Sequence, residues 1–246
     1  MITKINIDDD SSVGRLGNKL FIIAACKSIA DKQNTNFCLP QWKYGHFFKN
    51  IPVGDIPSIH SIYTEPKFTY TPIDIDCTSK NVSLNGYFQS DKYFSNKNDI
   101  IRLFEIYNVE LPPIKYSDYI AIHVRRGDYL KVSHVHNNLC NTKYYENAIN
   151  LTNHNKFIVF SDDITFCKSY FAKFIDKTFI YTENTTELQD LYAMTLCKGN
   201  IIANSSFSWW GAYLNKNGII NIMPREWFTN DCIDSSDLCP IDWIVV

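Results

Sequence analysis

The sequence predicts an α/β fold built on a parallel, doubly wound sheet, and three observations carry that reading. From Tyr119 to Ile222, short apolar runs alternate with helical stretches of about 8–13 residues, the pattern of successive βα units. Two of those runs, YIAIHV and KFIVF, are strongly apolar and end in polar, charge-bearing turns. Hydrophobic residues make up 45% of the chain and charged residues 20%, which suits a globular protein with a real core. At 246 residues the chain has room for one large domain or two small ones.

Taken in order, Thr3–Ile7 (TKINI) reads as a short strand, and Asp8–Gly17 as a polar turn. Lys19 to Gln33 reads as a helix whose apolar positions (20, 23, 24 and 27–30) are only loosely amphipathic, so it is expected to be largely buried. Asn36–Leu39 can form a second strand, stopped by Pro40. From Gln41 to Ile75 the chain is rich in proline and aromatics and shows no clean period. Asn81–Tyr87 alternates like a strand, Asn96–Tyr107 looks helical, and Leu111-Pro112-Pro113 is the best linker. The expected domains are therefore 1–113 and 114–246. The second half reads as strands at Tyr119–Val124, Lys156–Phe160, Thr178–Tyr181, Asn200–Ala203 and Gly218–Ile222. Helices are expected at Thr142–Leu151, Ile164–Phe174, Thr186–Lys198 and Phe207–Leu214, with Thr186 as an N-cap.

The net charge of −2 leaves no electrostatic footprint for nucleic acid or an anionic membrane. An anionic ligand must therefore be held by a local cluster of donors. No apolar stretch reaches the ~18 residues that span a bilayer. The opening segment sets Asp8, Asp9 and Asp10 where a signal peptide needs an apolar run, so a soluble, cytoplasmic protein is expected. The eight cysteines form no CxxC pair and no zinc-ligand spacing, which points to buried, reduced thiols.

In a doubly wound sheet, ligands bind at the carboxyl ends of strands. The loops after 124, 160 and 203 are the places to look. The first holds His123-Val-Arg-Arg-Gly-Asp-Tyr129. Guanidinium forks at Arg125 and Arg126 bind phosphate oxygens bidentately, and Gly127 allows close backbone approach, so the loop suits a diphosphate. The alternative is a surface ion pair of either arginine with Asp128. The loop after 203 runs through Asn204, Ser205, Ser206 and Phe207 into a helix. Its hydroxyls and backbone N–H groups can hold an anion at the helix tip, or the serines can serve as caps. Trp209 and Trp210 read as core. In the loop after 160, Asp162 can accept from guanine or ribose, or cap the next helix. Near the amino terminus Gly14-Arg-Leu-Gly-Asn18 joins strand to helix without completing a GxGxxG phosphate loop. The D-x-D of Asp8–Asp10 sits in an all-acidic run and reads as solvated loop rather than a metal site.

Together these segments resemble the α-1,2-fucosyltransferases of glycosyltransferase family 11. The family's G-x-L-G-N loop is matched through Asn18, its G-Y-F-Q-S-x-K-Y-F segment at Gly86–Phe94, and its H-V-R-R-G-D-Y motif at His123–Tyr129. F-S-D-D stands at Phe160–Asp163, I-I-A-N-S-S-F-S-W-W-G-A at Ile201–Ala212, and P-x-x-W-F at Pro224–Phe228. The matches run in order along nearly the whole chain.

The resemblance implies a GT-B architecture, two Rossmann-like domains facing across a cleft, with the donor held mainly by the second. It implies GDP-β-L-fucose as donor, an oligosaccharide or glycoconjugate acceptor, inversion at the anomeric carbon, and no metal or other cofactor. Arg15, Arg125, Arg126 and Asp128 are then the expected catalytic groups. Gly17, Asn18, His123, Asp162, Asn204, Ser205, Ser206 and Phe207 are the expected donor-binding groups. Two departures stand out. Lys19 occupies the place where the family usually has glutamine, and the Gln41–Ile75 stretch has no match, which leaves the acceptor undefined.

Overall fold

The computed structural model describes residues 1–75, 80–229 and 233–246. The chain forms two compact units. The first comprises Met1–Asn108 with Asp234–Pro240, and the second Val109–Ile233 with Ile241–Val246. This differs from a division at Pro113. Leu111 and Ile114 pack against the apolar cluster around Tyr116 and Met194, and Gln189 Nε2 donates to the Glu110 carbonyl at 2.8 Å, so this stretch belongs to the second unit. Asp234–Pro240 returns to the first unit, where Asp237 accepts from the Tyr70 N–H at 2.8 Å and pairs with Lys92.

The first unit holds a parallel three-stranded sheet of order β1–β3–β2, with β1 at Ile2–Thr3, β2 at Ser61–Thr64 and β3 at Val82–Asn85. Its helices are α1 (Asp10–Val13), α2 (Leu16–Lys32) and α3 (Lys97–Leu103). Helix α2 is buried on most sides, from Leu16 through Ala30, which explains its loose amphipathicity: a helix apolar all round belongs inside. The strand expected at Asn36–Leu39 shrinks to isolated bridges, Phe37 to Ile2 and Leu39 to Val53.

The second unit is the regular one. Its strands are β4 (Ile120–Val124), β5 (Lys156–Ser161), β6 (Thr178–Tyr181), β7 (Gly199–Ile201), β8 (Asn221–Met223) and β9 (Ile244–Val245). Its helices are α4 (Tyr144–Leu151), α5 (Ile164–Phe171), α6 (Glu187–Leu196) and α7 (Ser206–Tyr213). The strands are all parallel, in the order β6–β5–β4–β7–β8–β9. Side chains alternate across the sheet. Ile120, Ile122 and Val124 of β4 face α4 and α5 with Phe157 and Val159, whereas Ala121, Ile158 and Phe160 face α6. Both faces are covered, which is why these strands read as unbroken apolar runs. Trp209 and Trp210 are fully buried, with Trp209 stacked on Tyr213 at 4.6 Å.

That strand order places a topological switch point between β4 and β7. Strand order runs outward through β5 and β6 on one side and through β8 and β9 on the other. The loops leaving the carboxyl ends of β4 and β7 flank that point, the usual ligand position in open α/β sheets.

Candidate functional site at the switch point

The loop after β4 carries both arginines, and its neighbour after β5 fixes them. Arg125 reaches Asp162 Oδ2 through Nη1 at 2.9 Å and Asp128 Oδ1 through Nη2 at 2.5 Å, and lies 5.5 Å from the Tyr129 ring centroid. Arg126 donates its backbone N–H to Asp162 Oδ1 at 2.9 Å and its Nε to Asp163 Oδ2 at 3.1 Å. Its guanidinium stacks 3.3 Å from the Phe166 ring centroid. Asp162 thus holds the arginine loop by both oxygens. A Cβ at position 127 would lie 2.6 Å from Asp162 Oδ2, so only glycine lets the loop approach this closely. Asp163 caps α5 through the Phe166 N–H at 3.1 Å. That bond first, and Arg126 second, hold its carboxyl below the usual carboxylate range.

On the other side of the switch point, Asn204, Ser205 and Ser206 lead from β7 into α7. Ser205 sits at the N-cap, yet its side chain makes no capping bond. The cap expected from the sequence is therefore positional only. Asn204 is buried, and its Nδ2 donates to the carbonyls of Asn137 and Trp227, each at 3.1 Å. The two loops are tied by Tyr129, whose hydroxyl donates to the Asn204 carbonyl at 3.2 Å. Beneath them His123 is buried, 5.5 Å ring to ring from Phe207, with no partner for Nδ1. Burial first, and Arg125 second, lower its pKa to about 3, so the imidazole is neutral at physiological pH. A buried polar atom without a partner in a site of this kind marks a place for a ligand or water.

Arg125, Arg126, Asp128, His123, Asp162, Asn204, Ser205, Ser206 and Phe207 thus all belong to one end of one sheet. Arg15, Gly17 and Asn18 belong to the first unit. There Arg15 is the exposed N-cap of α2, Gly17 is buried in its first turn, and Asn18 Oδ1 accepts from Gln89 Nε2 at 2.9 Å. Gly14 holds a left-handed φ of +82°, and a Cβ on it would lie 2.4 Å from Asn18 Nδ2. The acidic run is more than solvated loop. Lys19, 2% exposed, sits 2.7 Å from Asp10 and 3.4 Å from Asp8, so the departure at position 19 is matched by these carboxylates.

Two contributors escape a reading of the sequence alone. Tyr129 and Asp163 lie inside legible motifs, but their long-range partners do not. Apart from these loops, Asp190, in the first turn of α6, is partly buried, and burial pushes its carboxyl up to about 6 despite a 2.7 Å bond from Thr185 Oγ1.

A parallel sheet with an arginine-bearing loop and a helix tip at its switch point defines a Rossmann-type fold. More particularly, the chain belongs to glycosyltransferase family 11, whose family model matches residues 61–246. It is 38% identical over 184 residues to an α-1,2-colitosyltransferase of Escherichia coli, covering 67% of this chain and 62% of that protein. It is 25% identical over 185 residues to a putative galactoside 2-α-L-fucosyltransferase of Caenorhabditis elegans, covering 64% of this chain and 50% of that one. The chain therefore spans less than two thirds of the length of these relatives. In fold it is similar to NodZ α-1,6-fucosyltransferase soaked with GDP-fucose (TM-score 0.50, 13% identity, 87% of this chain and 90% of that one). It is also similar to POFUT1 in complex with GDP-fucose (TM-score 0.50, 11% identity, 90% and 96%). The α/β fold with parallel sheets is that of the GT-B class. Among the described residues no helix is long and apolar enough to cross a membrane.

Proposed function

We propose that this chain transfers a deoxyhexose from a GDP-sugar to a hydroxyl of an acceptor glycan, with GDP-β-L-fucose as the donor and O-2 of galactose as the acceptor position. The observation that carries this reading is the Tyr129–Asn204 hydrogen bond, which joins the arginine loop and the serine-lined helix tip at the switch point. Family membership supports the transfer of a sugar, and relatives named for α-1,2 linkages support the position of attachment.

In the proposed reaction the acceptor oxygen attacks the anomeric carbon with inversion as the bond to the β-phosphate oxygen breaks. The electron pair goes to that oxygen, and the acceptor proton is lost. Arg125, Arg126 and the α7 N-terminal amides stabilise the departing charge, a form of preorganisation worth about 2.7–4 kcal/mol per donor. Asp162 and Asp163 are already engaged with the arginines and act as their positioning groups, so His123 is the stronger partner for the nucleotide. Asp128 holds Arg125 from a more exposed position. A diphosphate would compete with Asp128 for Arg125, and Asp128 is the candidate base for the acceptor. Arg15 and Asn18 are assigned to the donor's diphosphate or sugar. The reading calls for no metal ion: the two guanidinium groups and the α7 amides would donate to the diphosphate oxygens directly.

A second reading, in which the donor carries a different deoxyhexose, is favoured by the colitosyltransferase relative. Incubating the protein with GDP-fucose, GDP-colitose, GDP-rhamnose and GDP-mannose, each with galactose-terminated acceptors, separates the two by mass. Product from GDP-fucose alone supports the main reading, and preference for another donor replaces it. A protein that binds GDP but forms no product with any of them is a non-catalytic relative on the same fold.

A further inference from the structure

The proline- and aromatic-rich stretch that has no counterpart in the motifs contributes one carboxylate to a loop that does. Glu65 follows β2 directly and is half-buried. Its Oε2 accepts the N–H of Tyr87 at 2.7 Å and of Phe88 at 3.0 Å, and its Oε1 accepts the Tyr93 hydroxyl at 3.1 Å. A buried carboxylate is costly unless donors surround it, and three converge here.

The loop it holds is strained. Phe88 is fully buried with φ +51°, in the left-handed region that is sterically unfavourable for a side-chain-bearing residue. Gly86 has φ +143°, and a Cβ there would lie 2.4 Å from the Glu65 Cβ, so the glycine is required both by conformation and by Glu65. The strain has a consequence one residue on: Gln89, 6% exposed, donates through Nε2 to Asn18 Oδ1 at 2.9 Å. A continuous chain of contacts therefore runs from Glu65, through the twisted Tyr87–Phe88 backbone and Gln89, to the Gly14–Asn18 loop.

We propose that Glu65 is a positioning residue for the transfer reaction: by holding Tyr87 and Phe88 in their strained turn it aims Gln89 at Asn18 and sets the Arg15-bearing loop. This rests on the reading above that the Gly14–Asn18 loop contacts the donor. Strain at such a turn persists only where the surroundings enforce it, and Glu65 supplies that enforcement.

The test uses the full chain, measuring transfer from GDP-fucose alongside GDP affinity by calorimetry. Glu65→Ala is expected to lower kcat about tenfold to a hundredfold, the scale of a small misplacement of reacting groups, with GDP affinity falling less than kcat, because Arg125, Arg126 and the α7 tip, which the reading above sets on the diphosphate, lie in the second unit. Glu65→Gln keeps an acceptor for the two amides and should recover most of that loss. Gln89→Leu leaves the turn intact, removes only the bond to Asn18, and should reproduce the deficit if Glu65→Ala fails to fold. Combining Glu65→Ala with Asn18→Ala should cost no more than Asn18→Ala alone. Wild-type kcat in Glu65→Ala or Gln89→Leu, with Asn18→Ala impaired, would overturn the proposal. An unimpaired Asn18→Ala would instead overturn the reading of the Gly14–Asn18 loop, and this inference with it.

Discussion

Arg125 and Arg126 stand side by side in the sequence but are held in different ways. Arg125 is bracketed by Asp128 and Asp162, whereas Arg126 is pinned flat against Phe166 with its Nε on Asp163. A planar fork suits that second setting and an ammonium does not. Arg126→Lys should therefore lower transfer about 10²–10³-fold while leaving the fold intact, read from steady-state kinetics beside a thermal melt; near-normal turnover would remove Arg126 from the mechanism. The arginine pair, Asn204 and the serines are legible in the sequence because they cluster at predicted strand ends. The partner of Tyr129 is not, since it lies 75 residues away and only the parallel pairing of β4 with β7 brings it near. The Lys19 side chain is a similar case. It looks like a lone departure until the fold sets Asp8 and Asp10 around it.

Among the elements, β4 and β5 fall almost where their apolar runs place them, because each lies inside a sheet covered on both faces, and β6, at the sheet's edge, falls on its run as well. Helix α6 is equally plain, since Thr186 and Gln189 form a capping box ahead of its apolar positions. The first unit is harder to read. Its strands have only two to four residues, too few for a period to show, and β2 lies in the stretch that has no pattern at all. Strand β9, two residues long, is hidden for the same reason. Helix α6 also carries a pH-sensitive cost. Asp190 keeps its proton up to about pH 6 in the folded chain, whereas an unfolded aspartate loses it near pH 4. The native state thus binds the extra proton between those values, and stability falls as pH rises through that window. Asp190→Asn should raise stability by about 1–3 kcal/mol at pH 7 and by nothing below pH 4. Denaturant melts at the two pH values check this, and an equal effect at both would contradict it.

For the molecule as a whole, the comparisons separate fold from chemistry. Solved structures share the fold at 11–13% identity, so the architecture survives with little sequence in common. The family model spans residues 61–246, and within that span the loops after β4 and β7 meet at one switch point. The calorimetric comparison of GDP with GMP, on the wild-type chain and on Arg125→Ala, tests that convergence most directly. If the arginine loop and the α7 tip grip the diphosphate, GDP should bind at least about tenfold more tightly than GMP, a difference of 1.4 kcal/mol or more, and Arg125→Ala should erase most of that gap. Equal affinity for the two nucleotides, or a gap untouched by the substitution, would contradict the account.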